Sequence, residues 1–298
     1  ISMNLEQTAG AGDYKTVTRS SWPTERYNFN AELSRCENGS TLSWDDTKKA
    51  VIVSGNLSDK CYVYFDLARF DETCDGSTLA CRIAKQYTGT QGENSLYYHD
   101  STLANGAGDN SYRYAGASNS VNNYICLGSD TTTCPDANLF RIIGVFGDQT
   151  KVIRAKSVGD KEWDTNDSNT WSTSSLNTYL NGEYLTSLGT LADKIATTTW
   201  KVGGGSTTYL YDVPKTAYQY EVGSSASTTT YDAKIGLMYV SDYGFAADQS
   251  GWTTKLSSYG SNSSKNWLYL GSAEWTISRN SRLTGLAFTV TGTGYVNY

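Results

Sequence analysis

The 298-residue sequence predicts a mainly β protein with two or three short helices, an α+β chain. Three observations carry that prediction. Strand-favouring aromatics abound, with 23 Tyr, 8 Trp and 7 Phe, and Thr recurs throughout. Turn formers accompany them: 28 Gly, many Asn, Asp and Ser, and only 3 Pro. Where apolar residues are regular, they alternate, as Val63 and Phe65 do against Tyr62 and Tyr64. The chain is 18% charged with a net charge of −6, which disfavours nonspecific nucleic-acid binding. No apolar run of about 18 residues is present, so no transmembrane helix and no direct membrane insertion are expected. A single histidine, His99, leaves no set for a His-based zinc site or a His-relayed nucleophile.

Residues 1–70 read as one small β module. "YNFNAELSRC", "STLSWDD", "KAVIVSGNL" and "KCYVYFDL" are its strands, with the turn at Asp45-Asp46-Thr47-Lys48. The set resembles a compact immunoglobulin-like sandwich. Residues 71–298 form the second unit, joined without a low-complexity linker. Within it, "GSTLACRIAKQYT" (76–88) carries Leu79, Ile83, Ala84 and Tyr87 at helical spacing, capped by Ser77 or Thr78 and stopped at Gly89. Residues 92–123 read as long loops with short strands. "NNYICLG", "NLFRIIGVFG" and "TKVIRAKSVG" are strands, the last two joined across Gly147-Asp148. Residues 171–188 are the second helix, with Leu176, Tyr179, Leu180, Tyr184 and Leu188 on one face and Ser172 or Thr173 as its cap. "KIATTTWKVGGG" is a strand entering a Gly loop. "AKIGLMYVSDYGFA" is a buried strand leading to a short helix. "NWLYLGSAEWTISRNS" and "LAFTVTGTGYVNY" are the last strands, in which Trp267, Tyr269 and Trp275 alternate as core residues.

The six cysteines fall in three close pairs, Cys36 with Cys61, Cys74 with Cys81 and Cys126 with Cys134. Each pair flanks a turn-rich segment, so loop closure favours sequential pairing among the possible connectivities. Three disulfides imply an oxidising compartment, hence a secreted or surface location. The chain opens on Ile1 and shows no signal peptide, wall-sorting or lipidation motif, so it reads as mature or trimmed, with any anchor outside it.

The strings "NNYICLGSD…CPDANLFRIIGVF", "TWSTSSLNTYLN", "KIATTTWKVGG", "AKIGLMYVSDYGFAA" and "EWTISRNS" resemble a family of uncharacterised secreted or surface proteins of gut-dwelling Gram-positive bacteria. "CENGSTLSW…DKCYVYFD" resembles the module that precedes that domain in the same family. The resemblance implies a fold similar to the C-type-lectin-like one of formylglycine-generating enzymes and hypervariable receptor-binding proteins. That places a C-type-lectin-like domain over 71–298, whose closing strand lies past Tyr298 or comes from another molecule. The catalytic cysteine pair of formylglycine-generating enzymes has no good match, because Cys126 and Cys134 flank a turn.

Candidate chemistry is sparse, and no enzyme is expected. The acidic groups Asp71-Glu72 with Asp75, and Glu162 with Asp164 and Asp167, have the residue types of a glycosidase pair but no context that forces a cleft. Asp164, Asn166, Asp167 and Ser168 are spaced like the start of a calcium loop. The Gly at its sixth position is missing, and Ser175 stands where Glu belongs. Calcium is the one cofactor this spacing admits. "NGAGDNSYRY" places Asp109, Asn110, Tyr112 and Arg113 on a Gly-rich loop as exposed ligand contacts. Tyr243, Trp252 and Tyr259 sit near loops and suit stacking on sugar faces. Lys15, Lys151 and Lys234 adjoin strands and are candidates for Lys–Asn isopeptide bonds promoted by a nearby acid, which would lower the mass by one ammonia, with ordinary surface lysines as the far simpler reading. The expected function is recognition or adhesion, with loops 105–114, 241–252 and 257–266 binding a glycan or a host or cell-surface protein. The alternative is a structural subunit of a pilus or filament that self-assembles by strand exchange.

Overall fold

The computed structural model describes the whole chain except residues 19, 21, 24, 25, 57, 259–264, 271–273, 280–286, 292, 293 and 298, and from 287 onward it describes the backbone alone. The first region contains strands β1 (Ser2–Glu6), β2 (Tyr14–Val17), β3 (Tyr27–Cys36), β4 (Thr41–Asp45), β5 (Ala50–Ser54) and β6 (Cys61–Leu67). Its main sheet has the order β2-β1-β6-β3, with β1 parallel to β6. The β4–β5 hairpin packs Leu42, Trp44 and Val51 against Met3, Leu5, Val63 and Phe65 of that sheet. The alternation of β6 thus buries Val63 and Phe65 and turns Tyr62 and Tyr64 outward. Cys36 and Cys61 lie opposite one another in the β3–β6 register and are bonded.

Helices α1 (Phe70–Thr73) and α2 (Leu79–Ala84) follow. The Thr78 hydroxyl caps α2, accepting from Cys81 N at 3.1 Å, and the Cys74–Cys81 disulfide staples its first turn. The central sheet contains β7 (Leu96–His99), β8 (Ser111–Tyr114), β9 (Tyr124–Cys126), β10 (Leu139–Phe146) and β11 (Gln149–Arg154). Its order is β11-β10-β8-β7, with β9 also paired to β10. The near-continuous apolar run of β10 is buried on both faces, as a central strand requires. Gly144 is obligatory there: a Cβ would stand 2.1 Å from the Tyr112 carbonyl oxygen, so only glycine lets β8 approach. The Cys126–Cys134 disulfide closes the loop between β9 and β10.

The next helical run contains α3 (Ser175–Tyr179), a π turn over Leu180–Tyr184, and α4 (Leu185–Ser187). Strands β12 (Thr198–Lys201) and β13 (Thr230–Ala233) pair around α5 (Thr207–Leu210) and α6 (Pro214–Glu221). Helix α7 (Val240–Ala246) is buried at every residue. Strands β14 (Glu274–Arg279), β15 (Ala287–Thr291) and β16 (Gly294–Asn297) form a last sheet in that order. The largest core joins α2, β7, β8, β10 and α7 with Trp267 and Leu268.

Several expectations need correction. Ser174, not Ser172 or Thr173, caps the 175–187 helix: its hydroxyl accepts from Asn177 N at 3.1 Å. The apolar run 235–239 belongs to no strand: β13 ends at Ala233 and α7 starts at Val240. Trp267 is buried as expected, yet it lies outside the strands. Strands β1 and β2 and helices α5 and α6 are additional to the sequence reading.

Candidate binding cleft and the interior charge cluster

The Gly-rich segment 105–114 turns inward: Asn105 and Gly108 are exposed, Asp109 and Asn110 half-buried, and 111–114 buried. Tyr112 and Arg113 are 1% and 2% exposed, so the expected exposed Arg–Tyr contact pair is overturned. Their strand, β8, lies between β7 and β10 with α7 across it, which leaves these two side chains no route to solvent. Tyr112 gives its hydroxyl to the Asp71 carboxylate, which Arg69 also holds at 3.1 Å. Asp71 is therefore a structural acceptor. Asn110 takes a left-handed φ of 57° and accepts from the Tyr98 hydroxyl at 3.2 Å.

Arg113 organises the interior cluster. Its guanidinium reaches Asp109 at 2.7 Å and Asp242 at 3.4 Å, and its Nε donates to the Ser111 hydroxyl at 2.8 Å. Phe146 and Phe245 face it at 4.6 and 5.0 Å from their ring centres. The Lys151 ammonium contacts the other oxygen of Asp242, among the rings of Tyr239, Trp200 and Phe146. Burial works to raise the Asp109 carboxyl, but the Arg113 charge together with His99 and the bonds from Ser111 and Arg113 outweighs it and holds the group down to about 2. Behind α7, Glu221 accepts from Val240 N and Ser241 N, both at 2.8 Å, and from the Ser278 hydroxyl. Burial pushes its carboxyl upward despite those bonds. His99 is fully buried; its Nδ1 accepts from Ala107 N at 3.0 Å, and burial, then Arg113, pushes the imidazole down to about 3.

Tyr243 and Trp252 are core residues as well, at 1% and 0% exposure. The Tyr243 hydroxyl donates to Glu274 at 2.6 Å, and the Trp252 indole donates to the Ala247 carbonyl at 3.1 Å. Their place on and beside the buried helix α7 removes them from any ligand surface. Tyr259 lies outside the described residues.

An open cavity of about 520 Å³ lies elsewhere, over the π turn. Thr173, Ser175, Thr178, Tyr179, Gly182 and Glu183 line it. A glycine inside a helix lowers its stability, and π turns concentrate at functional sites. Here Gly182 faces open space and leaves the floor of the cleft uncovered. The Lys161 ammonium sits 3.9 Å from the centre of the Tyr179 ring. Asp164, one of the expected calcium ligands, holds the rim: its carboxylate accepts from Ser168 N, Ser175 N and the Ser175 hydroxyl, all at 3.0 Å. Desolvation works upward on that carboxyl, and the bonds from Ser175 and Ser168 outweigh it and lower it. Asn166 and Asp167 point into solvent beside it. Asp164 thus works as a loop clasp, with both oxygens already engaged by the chain.

Sequence reasoning did not single out Thr178 or Glu183, and placed Tyr179 in a helix face. The usable signal was "LNGEY", a glycine inside an otherwise amphipathic helix. The six cysteines form the three expected disulfides, so no thiol is free. Among the described residues no helix is long and apolar enough to cross a membrane. No protein-family model, no curated protein and no solved structure matches this chain.

Proposed function

We propose that the chain is an extracellular, non-catalytic recognition module of a bacterial surface that binds glycans through the cleft over the π turn. In this reading a small immunoglobulin-like sandwich (1–70) carries a C-type-lectin-like domain (71–298). The observation that carries the reading is the cleft itself. Hydroxyls from Thr173, Ser175 and Thr178, the Glu183 carboxylate and the Tyr179 ring surround one open space. Sugars need that combination: hydroxyl-rich rims take ring hydroxyls, and an aromatic face takes the C–H side of a pyranose. The three disulfides support an oxidising environment.

A glycan array with the wild-type chain and Tyr179→Ala tests the proposal. Binding by the wild type that the variant loses is expected. An array without hits, or equal binding by both, overturns it. A second reading, self-assembly by strand addition, draws on β16, which among the described strands pairs only with β15. Light scattering that finds monomers at high concentration removes it.

A further inference from the structure

We propose that Lys151 and Asp242 condense into an intramolecular amide, a covalent cross-link between β11 and α7. Of Lys15, Lys151 and Lys234, only Lys151 is placed for this chemistry. Lys15 is exposed on β2. Lys234 donates to the Ala192 carbonyl at 2.7 Å, an amide oxygen with no leaving group. Lys151 Nζ instead touches a carboxyl oxygen, Oδ2 of Asp242, from a position 91 residues away in the chain.

The surroundings separate this pair from the other lysine–carboxylate pairs among the described residues. Lys48–Asp45, Lys49–Asp46, Lys60–Glu37 and Lys156–Asp136 have at least one partner largely in water. Lys151 and Asp242 keep 16% and 3% of their side-chain exposure. Tyr239, Trp200 and Phe146 wall the ammonium at 4.8, 5.5 and 5.8 Å. Dry apolar walls disfavour separated charge and also exclude the water that would reverse a condensation. The carboxyl is fixed from two further sides: Tyr239 N donates to Oδ2 at 2.9 Å and Arg113 Nη1 donates to Oδ1 at 3.4 Å. Such fixing turns a slow bimolecular reaction into a favourable unimolecular one.

The step balances within the pair. A proton passes from Nζ to Oδ2, and the freed amine attacks Cγ. The C–N bond forms as charge gathers on Oδ1, where the Arg113 guanidinium stabilises it. The C–Oδ2 bond then breaks, Oδ2 takes a second proton from nitrogen, and one water leaves. Carboxylate plus ammonium becomes amide plus water, with no change in oxidation state.

Intact mass of the oxidised, cooperatively folded protein decides the matter. The expected mass is one water below that of the sequence with three disulfides. The deficit survives reduction and denaturation, and digestion yields a branched peptide joining positions 151 and 242. Lys151→Arg keeps a cation in the ion pair and restores the full mass. A folded wild-type sample at full mass overturns the proposal, as does a water loss that maps to any other pair.

Discussion

The interior cluster around Arg113 and the cleft over the π turn use the same kinds of side chain. Each combines a cation, a carboxylate, hydroxyls and aromatic rings. They differ in what satisfies the polar atoms. In the interior, Arg113 and Asp242 bond to one another and to their neighbours in a space closed by Phe146 and Phe245. In the cleft, Glu183 is exposed, and the Thr173 and Thr178 hydroxyls, which donate to the Thr170 and Ser174 carbonyls, keep only acceptor capacity for the open space. Charge in a dry, satisfied setting holds a fold together, whereas polar groups at an open floor are available to a partner. Residue identity alone does not separate the two roles.

The strongest way to break this contrast is Arg113→Met. It strands the largely buried Asp109 carboxylate and takes one partner from Asp242, so an unfolding loss of about 3–5 kcal/mol is expected in denaturant titration. A loss below about 1 kcal/mol would place the cluster with solvated charges, like those of the cleft. The next effect is on pH. Unfolded His99 titrates near 6.5 and folded His99 near 3, so between those values the unfolded chain binds the extra proton. Stability therefore falls as acid is added, by about 2 kcal/mol from pH 7 to pH 5 for this group. Asp109 adds to the loss only below its ordinary value of 3.8, as pH falls toward 2. Glu221, raised by burial, acts in the opposite direction and loses stability as pH rises through its folded value. Comparing thermal melts of the wild type and His99→Gln isolates the histidine: the variant should show the shallower acid slope. The smallest effect sharpens the other side. Tyr179→Ala in the cleft should cost about 1 kcal/mol or less in the same titration, while removing glycan binding. A cost like that of Arg113→Met would make Tyr179 a core residue.

The strands around Cys36, Val51 and Phe65 were legible because alternation and turn chemistry agree there. Strand β1 was not legible, since Asn4 and Glu6 read as surface residues. The fold buries both by bonding Asn4 to the Val63 carbonyl and Glu6 to Leu67 N. Helix α6 hid for another reason: Lys215, Gln219 and the tyrosines around them give only a weak apolar stripe. The candidate site was harder still. "NSYRY" looks like a loop because Gly106 and Gly108 precede it, and only pairing with β7 and β10 reveals an interior strand. Trp252 looked like a loop aromatic for want of any local sign that His99 and Phe245 close over it. Local pattern reports the period of an element; it does not report which faces meet.

The three disulfides close spans of only 25, 7 and 8 residues. Under tension they would shorten the chain that can be paid out, but they tie no distant parts together. The mechanical clamp is instead the parallel pairing of β1 with β6. A pull at the start of β1 against one beyond the end of β6 slides the two strands past each other. Their hydrogen bonds are then loaded together in shear rather than peeled one by one. A chain loaded between those two points would keep its first sheet closed while less firmly bonded segments give way.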